Sequence, residues 1–428
     1  MIGIVLFLTA LCLLFVGYPI AFTFAGISLI FGWFALGADL FAFMPFRIMN
    51  IMQNTILMAV PMFIFMGIVL QKSKLAERLL ESMAILFGEM RGGLAISTII
   101  VGAFLAASTG VVGASVVAMG VISLPVMMKY NYDKRLATGV ICASGTLGQI
   151  IPPSIILIIL GDVMGLPVGD LFQAAIWPGV ALILAYVLYV TIIAWHQPEK
   201  APAITISKEE KAGAIKRALI AIIPPLFLIT AVLGSIFSGI ATPTESSALG
   251  GIGAIILAFF SKGFKASMLL DSAKETAKVT SMVFAVLIGA TAFAMVFTYT
   301  EGDYLVEEFM LGLPGEKWTF IGLSMLTILI LGFFIDFVEI AFIIVPILTP
   351  IAESLGINMV WFAILIAMNL QSSFLTPPFG FSLFYLKGVA PKGILTTDIY
   401  KGVIPFILIQ IVILSLLVFF PELFGLAN

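Results

Sequence analysis

Two acidic residues lie three positions apart in one of the most apolar stretches of the chain. Asp336 and Glu339 would share a helical face, and no Lys or Arg occurs between positions 318 and 386. Ionisable groups at membrane depth are costly and mark ion or substrate paths, so this pair predicts a site for a cation or a proton. The alternative is that one carboxylate lies at the outer water boundary. Acid–base hydrolysis by paired carboxylates is disfavoured in so apolar a segment, and the chain is not expected to be an enzyme.

Polar breaks with a Pro-Pro pair interrupt two apolar segments, at 144–154 and 371–378. Proline suits the first turn of a helix because its missing N–H is unpaired there. A new half-helix is therefore expected to begin at Pro152 or Pro153, and another at Pro377. The carbonyls before each break are then available to a cation, and each new helix N-terminus carries a positive dipole end. A simple proline kink is the alternative, which the recurrence of the break disfavours.

Small residues fill positions 107–115, between two apolar segments. Such residues let backbones approach closely, and glycines allow positive φ angles, so a hairpin is expected to turn here. A second helix beginning near Ser115 would point its positive end to the middle of the membrane. The alternative is that these residues serve only to pack helices together.

The composition predicts that these segments lie in a membrane. The 428 residues are 61% hydrophobic and only 10% charged, which is typical of a polytopic helical membrane protein. Two distant cysteines and a single histidine argue against a disulfide framework and against a transition-metal site. No phosphate-binding loop of the form G-x-x-x-x-G-K-[ST] occurs, so a nucleotide-driven pump is disfavoured. A net charge of −2 gives no reason to expect a nucleic-acid partner.

The basic residues indicate how the segments cross the membrane. Eight apolar runs are long enough to cross, at about 3–19, 21–37, 54–71, 172–195, 215–238, 243–260, 277–299 and 401–420. Four further runs are broken, at 93–128, 134–164, 318–355 and 358–387. If the first and third of these are re-entrant hairpins and the chain starts outside, all but Arg47 and Lys317 of the 21 Lys and Arg residues face the cytoplasm. This distribution follows the positive-inside rule and predicts a multi-pass protein with both termini in the periplasm.

An internal repeat divides the chain into two halves. Three prolines recur after 225 positions, namely Pro125, Pro152 and Pro153, repeated as Pro350, Pro377 and Pro378. Each half has an odd number of crossings, so the second half starts on the opposite side of the membrane. This is the inverted repeat of many transporters.

The predicted domains follow from these repeats. The first repeat spans 1–195, with scaffold helices in 3–71, an amphipathic interfacial arm helix at 73–90, the hairpin 93–128 and the broken helix 134–164. A polar cytoplasmic linker occupies 196–214. The second repeat spans 215–428, with scaffold helices in 215–299, the hairpin 318–355, the broken helix 358–387 and a last helix at 401–420. A weaker amphipathic stretch at 265–278 is the counterpart of the arm, and a polar loop is the alternative for both. Thr242, Pro243 and Glu245 fit a capping box.

Five motifs together resemble the large membrane subunit of the tripartite ATP-independent periplasmic (TRAP) transporters. They are GIATPTESSALG at 239–250, ASTGVVGASVVAMG at 107–120, GTLGQIIPPS at 145–154, GFFIDFVEIAFIIVP at 332–346 and MNLQSSFLTPPFGFSLFYLKGVAP at 368–391. The resemblance covers nearly the whole chain. It implies an elevator-type ion-transporter fold in the bacterial inner membrane, related to the divalent-anion/sodium symporters. It also implies secondary active symport of an organic acid, usually a carboxylate such as a dicarboxylate, with Na⁺ as the coupling ion and no other cofactor.

The resemblance implies partners and site residues as well. The partners are a periplasmic substrate-binding protein and a small four-helix membrane subunit, which here is a separate chain, besides the lipid bilayer. One Na⁺ site at a hairpin tip would draw on Ser108, Thr109, Gly110, Gly145 and Gly148. The other would draw on Asp336, Phe337, Gln371, Ser372, Ser373 and Thr376. The candidates for substrate binding are Ser115, Gln149, Pro152, Ser154, Glu339 and Pro377. Sialic-acid members of the family need not have an acid at the position of Glu339, so their substrate contacts are not transferred.

Two other functions remain as alternatives. One is a symporter or exchanger of ions and anions that has the same fold and needs no binding protein. The other is a structural membrane assembly factor, which the buried acids and the repeated Pro-Pro breaks disfavour. Uptake with and without the binding protein separates the first alternative from a TRAP permease.

Overall fold

The apolar runs form helices throughout the computed structural model, which describes residues 2–204, 213–261 and 264–426. The helices of the first half are α1 (Ile2–Val16), α2 (Ile20–Leu36), α3 (Asp39–Met52), α4 (Ala59–Lys72), α5 (Leu75–Phe87), α6 (Gly93–Thr109), α7 (Val112–Lys129), α8 (Lys134–Thr146), α9 (Ile155–Val163) and α10 (Val168–His196). No strand occurs in the described ranges. Residues 205–212 of the predicted linker lie outside them.

The second half continues with nine helices in its described part. They are α11 (Ala214–Phe237), α12 (Pro243–Phe259), α13 (Ala266–Tyr299), α14 (Gly302–Leu311), α15 (Glu316–Leu331), α16 (Phe337–Ser354), α17 (Met359–Leu375), α18 (Phe381–Val389) and α19 (Thr396–Phe419). Helix α16 contains a π-helical segment at Ile340–Ile344. A short 3₁₀ helix, Pro421–Phe424, follows α19.

The lengths and hydropathies of these helices suit a polytopic membrane protein. Six helices of the described residues have at least 18 residues and enough hydropathy to cross a membrane, namely α7, α10, α11, α13, α16 and α19. Five shorter apolar helices, α1, α2, α6, α12 and α17, have 15 to 17 residues. At 1.5 Å per residue these shorter helices reach about 22–26 Å, slightly less than the hydrocarbon thickness.

Both halves contain the same succession of a hairpin, a broken helix and a long helix. In the first half these are α6–α7, α8–α9 and α10, and in the second half α15–α16, α17–α18 and α19. Lys134 begins α8 and Met359 begins α17, which is the 225-residue interval at which the prolines recur. We call α6–α9 together with α15–α18 the hairpin body, and α1–α4 together with α11–α13 the frame.

The broken helices lie at the centre of the molecule. Every residue of α17 from Trp361 to Leu375 is buried, and the Trp361 indole donates to the Leu417 carbonyl of α19 at 2.8 Å. Helix α19 also packs closely along α8 of the first half. At their crossing, a Cβ on Gly139 would meet the carbonyl of Gly402, so glycine allows the two backbones to touch.

Several helix boundaries differ from the predictions. Helix α3 was not expected, because Pro45, Arg47 and Asn50 interrupt the apolar pattern there. The stretch 265–278 is not a separate interfacial helix, since α13 runs without interruption for 34 residues. No Gly or Pro stands in α13 before Gly289, so nothing in the sequence ends the helix where the amphipathic part meets the apolar part.

Two local predictions agree with the helices observed. The arm segment forms α5, whose Leu79 and Met83 are buried where the helix packs on α6 and α11. At the start of α12, the Thr242 side chain accepts from the Glu245 amide while the Glu245 carboxylate accepts from the Thr242 amide at 2.8 Å. This capping box gives Glu245 a local structural role.

Candidate functional site

The first hairpin turns within the small-residue segment. Helix α6 ends at Thr109, Gly110 adopts a φ of 60°, and α7 begins at Val112. The start near Ser115 was therefore predicted three residues too late, because Val111 already has the extended conformation of an N-cap. The hydroxyls of Thr109 and Ser115 lie 2.7 Å apart across this tip.

The first broken helix passes directly beneath that tip. Helix α8 ends at Thr146 and is followed by a 3₁₀ turn, Leu147–Gln149. A Cβ on Gly145 would meet Val116 of α7, and one on Gly148 would lie 2.6 Å from the Ala106 carbonyl of α6. Since glycine alone allows these approaches, the predicted residues of the first hairpin and the first break come together. They are Ser108, Thr109, Gly110, Ser115, Gly145, Gly148 and Gln149.

The predicted starts of the half-helices are wrong. Helix α9 begins at Ile155 and α18 at Phe381, so both Pro-Pro pairs lie within the breaks. The reason is that a residue before proline is disfavoured in the α conformation, which keeps Pro152 and Pro377 out of a first helical turn. The first break is closed by Ser154, whose hydroxyl donates to the Gln149 carbonyl at 2.7 Å.

The acidic pair lies at the start of α16, in the second hairpin. Asp336 is the N-cap, and its Oδ1 accepts from the Phe337 amide at 2.7 Å. Glu339, in the first turn, is only 4% exposed, and its Oε2 has no hydrogen-bond partner among the described residues. A buried carboxylate oxygen without a partner is costly, so this position calls for a cation or a proton.

The end of α17 brings a row of hydroxyls to the same hairpin. The Ser372 hydroxyl donates to the Met368 carbonyl at 3.1 Å, that of Ser373 to Leu370 at 2.8 Å, and that of Thr376 to Ser372 at 2.7 Å. A hydroxyl that donates its hydrogen to the backbone keeps its lone pairs for a cation.

The second hairpin touches this end of α17 directly. A Cβ on Gly332, next to the hairpin turn, would meet the Ser373 hydroxyl, and the rings of Phe337 and Phe374 lie 6.0 Å apart. The carbonyls expected to be free are partly used, because Ser372 accepts from the Thr376 hydroxyl and Ser373 from the Thr376 amide. Side-chain oxygens are therefore the better cation ligands here.

Two buried amides mark where the two broken helices meet. Gln149 and Gln371 are 1% and 0% exposed, and no atom of either amide group has a hydrogen-bond partner in the described part of the chain. The 3₁₀ turn that carries Gln149 packs against α17, which carries Gln371. Because buried polar groups are nearly always paired, these amides indicate a place for a polar ligand or water.

Tyr385 of α18 is a site residue that sequence reasoning missed. Its ring would lie 2.9 Å from a Cβ on Gly113, near the start of α7, and its phenol lies within electrostatic range of Asp336 and Glu339. Tyr385 thus contacts the first hairpin and lies in the neighbourhood of the acids of the second. A tyrosine in an apolar helix is common, so the sequence carries no signal that separates it from its neighbours.

The chemistry available here is ion and polar-ligand binding. The site offers two carboxylates, several hydroxyls and two unpaired amides, and the segment 318–386 holds no basic residue. Oxygen ligands of this kind suit hard cations rather than soft ones.

Known proteins are similar in sequence to this chain over most of its length. Residues 7–423 match the family described as tripartite ATP-independent periplasmic transporter, DctM component. The C4-dicarboxylate TRAP transporter large permease protein DctM of Pseudomonas aeruginosa is 30% identical over 371 residues, covering 86% of this chain and 85% of that protein. The isethionate TRAP transporter permease protein DctMQ of Oleidesulfovibrio alaskensis is 31% identical over 368 residues, covering 86% of this chain and 57% of that protein.

A solved structure supports the fold. The YdaH transporter of Alcanivorax borkumensis matches with a TM-score of 0.63 over 91% of this chain and 90% of that chain, at 14% identity. At this identity the likeness concerns the fold alone. The family match and the relatives confirm the resemblance seen in the motifs. The chain therefore belongs to the DctM-component family of tripartite ATP-independent periplasmic transporters, as a large permease subunit.

Proposed function

We propose that this permease imports a small organic acid together with Na⁺, with the acid delivered by a periplasmic binding protein. A small membrane subunit completes the complex. The observation that carries the proposal is a set of buried polar atoms, on Gln149, Gln371 and Glu339, that have no hydrogen-bond partner among the described residues. They lie where the hairpins meet the broken helices. Such atoms are expected to be paired when ligands are bound.

Na⁺ is the coupling ion that these ligands favour. Asp336 and Glu339 provide negative charge, and the hydroxyls of Ser372, Ser373 and Thr376 provide neutral oxygens, in a region without basic residues. At the first tip, Ser108 and Thr109 provide hydroxyls without a carboxylate. Oxygen ligands suit hard cations such as Na⁺. Na⁺ bound at both sites would couple transport to the Na⁺ gradient.

A small anion is the substrate that the surroundings favour. The N-termini of α9 and α18 begin at the two breaks, and helix N-termini stabilise anionic groups. The two relatives are named for a C4-dicarboxylate and for isethionate, which are both small organic anions. These names support the chemical class of the substrate and leave its identity to experiment.

The orientation follows from the basic residues. With the N-terminus outside, Arg47 and Lys317 are the only Lys or Arg residues on the periplasmic side. The chain then crosses the inner membrane as two inverted repeats with both termini in the periplasm.

An elevator movement of the hairpin body against the frame is the proposed mechanism. Close approaches at glycines pack each hairpin against its broken helix, Gly148 against Ala106 in the first half and Gly332 against Ser373 in the second. Contacts between body and frame include a hydrogen bond from the Asn54 amide to the Asp162 carboxylate of α9 at 2.5 Å. Asn54 belongs to the frame because the neighbouring Thr55 carbonyl accepts from Thr244 of α12 at 2.8 Å.

Uptake by purified protein in proteoliposomes tests the proposed function. A panel of radiolabelled dicarboxylates, 2-oxo acids and sulfonates is offered under a Na⁺ gradient, with and without the binding protein and the small subunit. We expect uptake of one class that requires all components and stops when K⁺ replaces Na⁺. Uptake without the binding protein would instead support a self-sufficient symporter of the same fold.

Thiol cross-links test the elevator movement. A short bis-methanethiosulfonate reagent joins Asn54→Cys to Asp162→Cys between frame and body, and each variant before cross-linking provides the baseline. The matched control joins Ser235→Cys to Ser246→Cys within the frame, where the two serine hydroxyls lie 2.8 Å apart. We expect only the first cross-link to stop uptake, reversibly on reduction. Equal activity in both cross-linked proteins would rule out a sliding body.

A further inference from the structure

A cavity of about 500 Å³ lies between the frame and the hairpin body, apart from the helix breaks. Arg47 and Asn50 of α3 and Thr291 of α13 line it on the frame side, and Asp162 of α9 and Phe342 of α16 line it on the body side. Its volume is in the range of small-molecule sites. Both the frame and the body therefore contribute side chains to one polar cavity.

Arg47 is the only basic residue that lines this cavity. The ion pairs found among the described residues do not include it. Its guanidinium presents five donors that match a carboxylate. Asn50 stands three residues further along α3 and so shares its face, which adds an amide donor beside the guanidinium.

The one acid in the cavity has a different partner. Asp162 accepts from the Asn54 amide at 2.5 Å, and the other end of that amide accepts from the Ile56 backbone at 2.9 Å. Asn54 thereby holds Asp162 to the frame. Arg47 and Asp162 form no ion pair in the described structure, so the guanidinium is left for an anion from outside.

We propose that this cavity is a second carboxylate-binding site, in which Arg47 holds the acid as it passes between the periplasm and the helix breaks. The inference rests on the proposed import of organic acids, since the transported acid is taken as the ligand. It concerns different residues from the ion site, on the side of the membrane predicted to be periplasmic. Lys317 is the only other Lys or Arg on the predicted periplasmic side, and it is therefore the matched control for Arg47.

Labelling of an introduced cysteine measures whether the cavity attracts anions. Asn50→Cys is placed in a background with Cys12→Ser and Cys142→Ala, and the reconstituted chain is treated with anionic MTSES or cationic MTSET. Adding Arg47→Gln should lower the ratio of the MTSES rate to the MTSET rate about tenfold, because one positive charge at close range is removed. Arg47→Lys should retain most of the ratio and Lys317→Gln all of it. An unchanged ratio in Arg47→Gln overturns the proposal.

Uptake kinetics test whether the transported acid uses the cavity. For the acid that the wild-type complex imports, Arg47→Gln should raise KM at least tenfold and leave the half-saturating Na⁺ concentration within about twofold, whereas Lys317→Gln should change neither. A normal KM in Arg47→Gln refutes the site even if the labelling ratio shifts. The labelling needs no transport, so failure of the proposed import and failure of this site are separate results.

Discussion

Neutralising Asp336 is the most direct test of the ion site. Asp336→Asn keeps the shape of the side chain and an oxygen that can accept from the Phe337 amide, so the N-cap of α16 and the fold should survive. What is lost is the second carboxylate oxygen and the negative charge. Losing one charged ligand costs about 1.5–3 kcal/mol, which corresponds to an ion affinity weaker by about ten- to 150-fold.

The assay is Na⁺-dependent uptake in proteoliposomes at saturating binding protein, with the small subunit present. We expect the half-saturating Na⁺ concentration to rise at least tenfold in Asp336→Asn, or uptake to be abolished, while expression and association with the small subunit persist. Asp170→Asn is the matched control, because Asp170 is exposed in the first turn of α10. An unchanged Na⁺ dependence in Asp336→Asn would contradict the assignment of Asp336 as a Na⁺ ligand and make Glu339 the next candidate.

Three other predictions use different measurements. Glu339→Gln removes a buried carboxylate whose Oε2 has no partner in the described structure. It should therefore stabilise the Na⁺-free protein by about 1–3 kcal/mol and reduce the rise in Tm that Na⁺ causes. A Tm equal to that of the wild type, both with and without Na⁺, would contradict this. Gly148→Ala should destabilise by about 1–3 kcal/mol because its Cβ meets the Ala106 backbone, whereas Gly234→Ala, with open space around it, should be neutral or stabilising in the same thermal assay. An impermeant maleimide should label Glu199→Cys only from the cytoplasm and Glu308→Cys only from the periplasm, both being exposed positions, and the reverse pattern would invert the proposed orientation.

The sequence predicted the elements that local chemistry determines. Hairpins and broken helices were predicted because small residues, acids and Pro-Pro pairs are rare inside apolar helices. The recurrence of the Pro-Pro pair after 225 positions then linked the two halves. The starts of α9 and α18 were missed because the rule that favours proline in a first turn competes with the restriction on a residue before proline. The second effect prevails when two prolines are adjacent, as at Pro152 and Pro377.

Contacts that depend on tertiary packing could not be predicted. Nothing in the sequence around Tyr385 indicates that it packs on Gly113 in the neighbourhood of the acidic pair. Asn54 and Asp162 are 108 positions apart, and each reads as an ordinary polar residue near a helix end. The gathering of Gln149 and Gln371 near the meeting point of the broken helices likewise needs both halves in place, because the two glutamines are not equivalent positions of the repeat.

The glycine crossing of α8 and α19 bears on how such a chain can arise. Gly139 belongs to the first half and leaves room for the Gly402 carbonyl, while Gly402 belongs to the second half and leaves room for the Arg135 carbonyl of α8. A polypeptide of one half alone would leave the helix face at this crossing uncovered, as an open seam. In the orientation that the inverted repeat predicts, it could close that seam only by pairing with an upside-down copy of itself, as a dual-topology homodimer. The inverted repeat predicts that the present chain corresponds to such a homodimer joined covalently, in which the seam would not depend on protein concentration in the membrane.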